Sequence, residues 1–81
     1  MQIQLINGTF SSKEALQIIT QLMNVKIQFH ENKIQNAHNE EDIKMREKKI
    51  TQLQNNLQHV RQYIQNNGDT IAVESTISLG D

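Results

Sequence analysis

The octet "QNAHNEED", Gln35–Asp42, lies between two long stretches with helical spacing and contains neither glycine nor proline. Either the chain turns back here, or one helix runs straight through. The choice fixes the architecture.

The stretch after the octet carries Ile43, Arg46, Ile50, Leu53, Leu57, Val60 and Ile64. These step by three and four, the spacing of one helical seam, and all but Arg46 are apolar. The remaining positions are mostly Lys, Glu, Gln and Asn, so the apolar face is narrow and suits one partner. The stretch before the octet carries Ala15, Ile18, Leu22, Val25 and Phe29 at the same spacing. A second set, Leu16, Ile19, Met23, Ile27 and Ile34, flanks it. Together they cover roughly half the helix circumference at ~100° per residue, an arc wide enough for two neighbours.

If the chain folds back, Phe29 meets Ile50, Val25 meets Leu53, Leu22 meets Leu57, Ile18 meets Val60 and Ala15 meets Ile64. Any two heptad stretches in antiparallel array give some constant register. The informative point is its centre, which falls inside the octet. The octet also has helix-start chemistry, because Asn39 precedes Glu40, Glu41 and Asp42. An Asn cap satisfies free amides, and acids in a first turn complement the helix dipole. The spacing therefore predicts an antiparallel helical hairpin with arms of ~26 residues, each ~40 Å long. The competing arrangement is one continuous helix of ~55 residues that dimerises as a coiled coil.

Working outward, "MQIQLI" alternates, with Met1, Ile3 and Leu5 on one side and Gln2 and Gln4 on the other, as a half-buried strand does. "NGT", Asn7–Thr9, then offers turn chemistry. Ser11 and Glu14 have the spacing of a capping box, with Phe10 just before the cap. "NGTF" before a helix start also suggests phosphate binding, but a single glycine falls far short of a phosphate loop. At the other end Gly68 suits a left-handed helix stop. Ile71, Val73, Ile77 and Leu79 then alternate with polar residues, interrupted by Ser75. The expected fold is α+β and predominantly helical: strand 1–6, helix 12–36, turn 37–40, helix 41–66 and strand 70–79, all in one domain. Both helices reverse direction, so the terminal strands lie antiparallel and can pair. Their apolar sides would cover helix one near Leu16, Ile19 and Met23.

The totals narrow the class. A chain of 81 residues buries only roughly 60% of its unfolded surface, so the core is thin. With no cysteine it has no disulfide or thiolate metal site, which is compatible with a reducing cytoplasm, the expected location. The net charge of -1 gives no global field toward nucleic acid or membrane. No apolar run approaches the ~20 residues of a membrane span. No signal peptide is expected from "MQIQLI". Twenty of the 81 residues are Asn or Gln, spread along the periodic pattern as neutral solvent-facing positions rather than clustered.

Chemistry is scarce. His30, His38 and His59 do not converge with acids at ligand spacing, so no metal or cofactor is expected. No serine has a histidine and carboxylate behind it, and the acids at 40–42 are explained by capping. The chain reads as non-enzymatic. The one basic run is "KMREKK", where Lys44, Arg46, Lys48 and Lys49 could meet phosphates. Glu40, Glu41, Asp42 and Glu47 nearby favour a solvated charged face, and no aromatic residue in the run stacks on bases. Phe29 and Tyr63 read as core or core edge.

The strands suggest a use. If Leu5 lies beside Ile71, then Ile77 and Leu79 lack a partner strand within the chain. Open edges invite another chain, so a homodimer is expected through these edges or the rest of helix one's arc, with Ile34, Ile77 and Leu79 as contacts. A frayed C-terminus in a monomer is the plainer alternative. The leading expectation is a protein-interaction or scaffold module acting through a dimeric hairpin, with an unidentified protein partner. The second is a nucleic-acid accessory using the run at 44–49, and the third a small-molecule sensor or enzyme at a dimer crevice.

Overall fold

A computed structural model describes residues 1–80. Strand β1 (Gln2–Ser11) leads directly into helix α1 (Ser12–Gln35). Helix α2 (Glu40–Asn66) runs back, and strand β2 (Thr70–Ser78) closes the chain against β1 in a two-stranded antiparallel sheet. The octet does reverse the chain. The fold is strand–helix–helix–strand.

Local chemistry sets the helix ends. The Ser11 hydroxyl accepts from the Glu14 amide, and the Glu14 carboxylate accepts from the Ser11 amide, both at 3.1 Å. The Ser11 amide, and after it the Ser11 hydroxyl, hold the Glu14 carboxyl below its ordinary pKa. Asn39 caps α2 by accepting from the Glu41 amide at 2.8 Å. Gly68 has φ 93°, the left-handed conformation that ends α2 at little steric cost. The Ser12 hydroxyl then donates to the Gly68 carbonyl, and the Ser12 amide donates to the Asp69 carbonyl at 2.9 Å. The start of α1 is thereby tied to the α2–β2 link.

The strands depart from expectation in length and register. β1 does not stop at residue 6. "NGT" lies inside it, where Asn7 pairs with Glu74, Gly8 with Val73 and Thr9 with Ala72. Pairing with β2 overrides the local turn preference, since strand formation depends on neighbours more than on intrinsic propensity. The Phe10 ring lies 3.5 Å from where a Gly8 β-carbon would sit, covering the residue that has no side chain of its own. Phe10, not Leu5, lies beside Ile71, so Ile77 pairs with Ile3. The Leu79 amide donates to the Met1 carbonyl at 2.7 Å, and the Met1 ammonium donates to the Leu79 carbonyl at 3.0 Å. Ile77 and Leu79 therefore have partners within the chain after all. A bulge between Gln4 and Ile6 leaves Leu5 unpaired. That extra residue brings Ile3 into phase with Ile6, Gly8 and Phe10 and breaks the expected single face of Met1, Ile3 and Leu5.

α1 is the central element, packing on α2 along one side and on both strands along another. The molecule is a flat slab of 46 × 32 × 14 Å. Every expected seam position of α2, from Ile43 to Ile64, is buried or half-buried. On α1 the expected seam holds only at its start. Ala15 is fully buried and Ile18 half-buried, but Val25 is 69% and Phe29 54% exposed. Ile19, Met23, Ile27, His30 and Ile34 turn inward instead. A strict 3.5-residue repeat drifts by about 20° per heptad around a straight helix, so a longer mean step stays on one side better. Among the described residues the buried apolar side chains are Ala15, Leu57 and Ile64, a core as thin as the chain length implies.

Candidate functional site

The inward drift of α1 brings His30 across to Arg46. His30 is 6% exposed, and a guanidinium nitrogen of Arg46 lies 3.2 Å from its Nδ1. Guanidinium only donates, so Nδ1 accepts and the ring proton resides on Nε2. Arg46 also donates from Nε to the Asp42 carboxylate at 3.4 Å, one turn back on α2. The His30 ring meets Phe29 edge-on, with centroids 5.6 Å apart at 70°. The Lys33 ammonium lies 5.7 Å and the Arg46 guanidinium 6.0 Å from the centre of the Phe29 ring.

Next to this cluster a groove of about 360 Å³ runs between the helices, lined by Lys26, Phe29, His30, Lys49, Gln52, Leu53 and Asn56. No carboxylate is among its lining residues. A second cleft of about 380 Å³ adjoins it, lined by Ile19, Leu22, Met23, Lys26, Leu53, Val73, Glu74 and Ser75. Lys26 and Leu53 line both, so the two meet at these side chains and together make up a trough with a cationic part between the helices and an apolar part beside β2.

Desolvation lowers the His30 pKa below 6.5, and the positive charges of Arg46, Lys49 and Lys26 lower it further. The unfolded chain therefore takes up a proton at this side chain before the folded chain does. Stability from this group is complete above the ordinary histidine pKa and is lost as pH falls through it toward the depressed folded value. Urea midpoints measured from about pH 8 down to pH 5 are expected to fall across the histidine range. His30→Asn should flatten that fall, and an unchanged slope in the variant would refute the assignment.

The basic run is divided. Arg46 is half-buried and bonded within the protein, Lys49 borders the groove, and Lys44 and Lys48 are exposed. Lys26 and Lys33 join Lys49 around Phe29 and His30, an association the sequence reading missed. A signal was present, because Lys26, Phe29, His30 and Lys33 have the spacing of one helix face. Of the expected self-association residues, Ile34 is half-buried while Ile77 and Leu79 are exposed. Ile77 and Leu79 join Met1, Ile3 and Leu5 as exposed apolar side chains at the open end of the ribbon. Tyr63 is exposed rather than at a core edge. Among the described residues, no group of three or more His, Asp or Glu is placed to hold a metal, and no helix is long and apolar enough to cross a membrane. No protein family, curated protein or solved structure matches this chain.

Proposed function

We propose that this protein is a non-enzymatic interaction module that works as a homodimer, joined along the outer edge of β1, and offers its paired hairpins to a protein partner. The surplus of surface is the observation that supports this reading most. The chain exposes 6402 Å², whereas a compact monomer of its mass exposes about 5,000 Å². The radius of gyration, 15.2 Å, likewise exceeds the roughly 12 Å of a compact domain of this length. The excess surface, about 1,400 Å², is more than the roughly 800 Å² that each partner buries in a standard interface.

The choice of β1 follows from its composition. A two-stranded sheet is marginal in water and has two open edges. β2 carries Glu74 and borders the trough, whereas β1 has no charged residue and no proline. It lacks the charges that commonly protect a free edge, apart from the bulge at Leu5. Antiparallel pairing of two β1 strands about a two-fold axis gives a four-stranded sheet, and the exposed apolar ribbon ends add to the contact.

Sedimentation equilibrium is expected to give twice the chain mass of 9.4 kDa. Asn7 and Thr9 are exposed on β1, and changing both to lysine places like charges across the new pair. The Asn7→Lys/Thr9→Lys variant should sediment as a monomer with unchanged helical circular dichroism. A wild-type protein that stays at 9.4 kDa at high concentration, or a variant that stays dimeric, would overturn the proposal.

A further inference from the structure

We propose that the trough between α1, α2 and β2 binds an amphipathic organic anion: a carboxylate or phosphate monoester head on a medium-length hydrocarbon tail. The head belongs at the cationic end. Lys26 and Lys49 stand on facing helices with no carboxylate among the residues lining that groove, and the Gln52 and Asn56 amides add neutral donors. Two unopposed ammonium groups beside a low-dielectric wall concentrate positive potential there.

His30 gives the second, independent observation. It is buried, and among the described residues its side chain makes one hydrogen bond, from Arg46 to Nδ1. Among the described residues, no buried side-chain polar atom lacks a partner. Nε2 is therefore not fully sealed from solvent, and His30 lines the groove. Arg46 thus fixes a tautomer whose free N–H serves a ligand acceptor. Charge-assisted bonds from ammonium groups to an oxyanion are about twice as strong as neutral ones.

The tail belongs at the other end. Ile19, Leu22, Met23, Leu53 and Val73 make an apolar channel, with Glu74 and Ser75 on the β2 side. An anion placed there would meet the Glu74 carboxylate, so the trough has a direction. Lys26 lines both ends, its stem suited to the apolar wall and its ammonium to the head. The size of each part falls within the range of small-molecule sites, which combine apolar walls with a few converging polar groups. Neither part includes a residue of β1, so the site is separate from the proposed dimer edge.

Titration calorimetry and amide NMR of the full chain with decanoate and with decyl phosphate, both kept below their micellar concentrations, test this. Saturable one-to-one binding is expected, with amide shifts at Lys26, His30, Lys49, Leu53 and Val73. The neutral control, decanol, should bind at least about tenfold more weakly, as should acetate or inorganic phosphate, which lack the tail. Lys26→Gln/Lys49→Gln should lose about tenfold for both amphiphiles while leaving decanol unchanged, and Leu22→Ser should weaken all three tailed ligands. Tighter binding of decyl phosphate than of decanoate identifies a phosphate head, and the reverse a carboxylate head. No saturable binding, decanol binding as tightly as decanoate, or inorganic phosphate binding as tightly as decyl phosphate would each overturn the proposal.

Discussion

Replacing Ile64 with alanine is expected to remove a large part of the stability of the fold. Ile64 is 4% exposed and is one of three buried apolar residues among the described residues. It lies one turn before Gly68, where Ser12 ties α1 to the α2–β2 link. Truncating a buried isoleucine costs about 2–5 kcal/mol, through lost transfer energy and the cavity left behind. A chain of this length has about 4–12 kcal/mol in total. The melting temperature, followed by far-UV circular dichroism at one fixed concentration, should drop by about 10 °C or more. Val25→Ala is the informative contrast. The heptad register opposes Val25 to Leu53, whereas the structure leaves it 69% exposed. Its melting point should move by no more than the small shift of a surface change, about 0.5 kcal/mol. A cost for Val25→Ala equal to that of Ile64→Ala would restore the heptad register and refute the packing described above.

Enlarging Ala15 is the second change with a large expected effect. Ala15 has no exposed surface at all, one turn into the helix that contacts β1, β2 and α2. Ala15→Leu adds three carbons where no space is open, and overpacking of this kind costs about 1–3 kcal/mol. Ala15→Glu forces a carboxylate into the same place without a partner and should prevent folding altogether. Leucine at the exposed neighbour Lys13 is the control and should leave the melt nearly unchanged. If Ala15→Leu melts with the wild type, the packing around Ala15 is looser than the structure shows.

Much of the architecture was legible in the residues because it rests on local chemistry. The Ser11–Glu14 box, the Asn39 cap and the left-handed Gly68 each act within a few residues of the chain. The α2 seam was legible because that helix has one partner and one narrow stripe. α1 was harder, because its apolar arc serves two neighbours. Periodicity alone could not decide which half of the arc faces α2, and the heptad half, Leu22, Val25 and Phe29, is the one left exposed.

The candidate trough was less legible still. It joins residues from three elements that are far apart in sequence, and each has an ordinary explanation when read alone. Lys26 and Lys33 look like helix solubility, Lys49 like the end of a charged run, and Val73 like a strand core position. Only His30 carries a mark of its environment, and that mark appears once Arg46 and its neighbours are placed around it.

The sequence by itself determined the order of elements, the reversal at Gln35–Asp42 and the helix ends, because capping and seam periodicity are properties of neighbours along the chain. Tertiary structure decided how far β1 runs, where the bulge falls and which face of α1 turns inward. Those outcomes depend on pairing and packing partners more than fifty residues away in the case of the strands. A turn-prone "NGT" becomes a strand only because β2 is there to receive its hydrogen bonds.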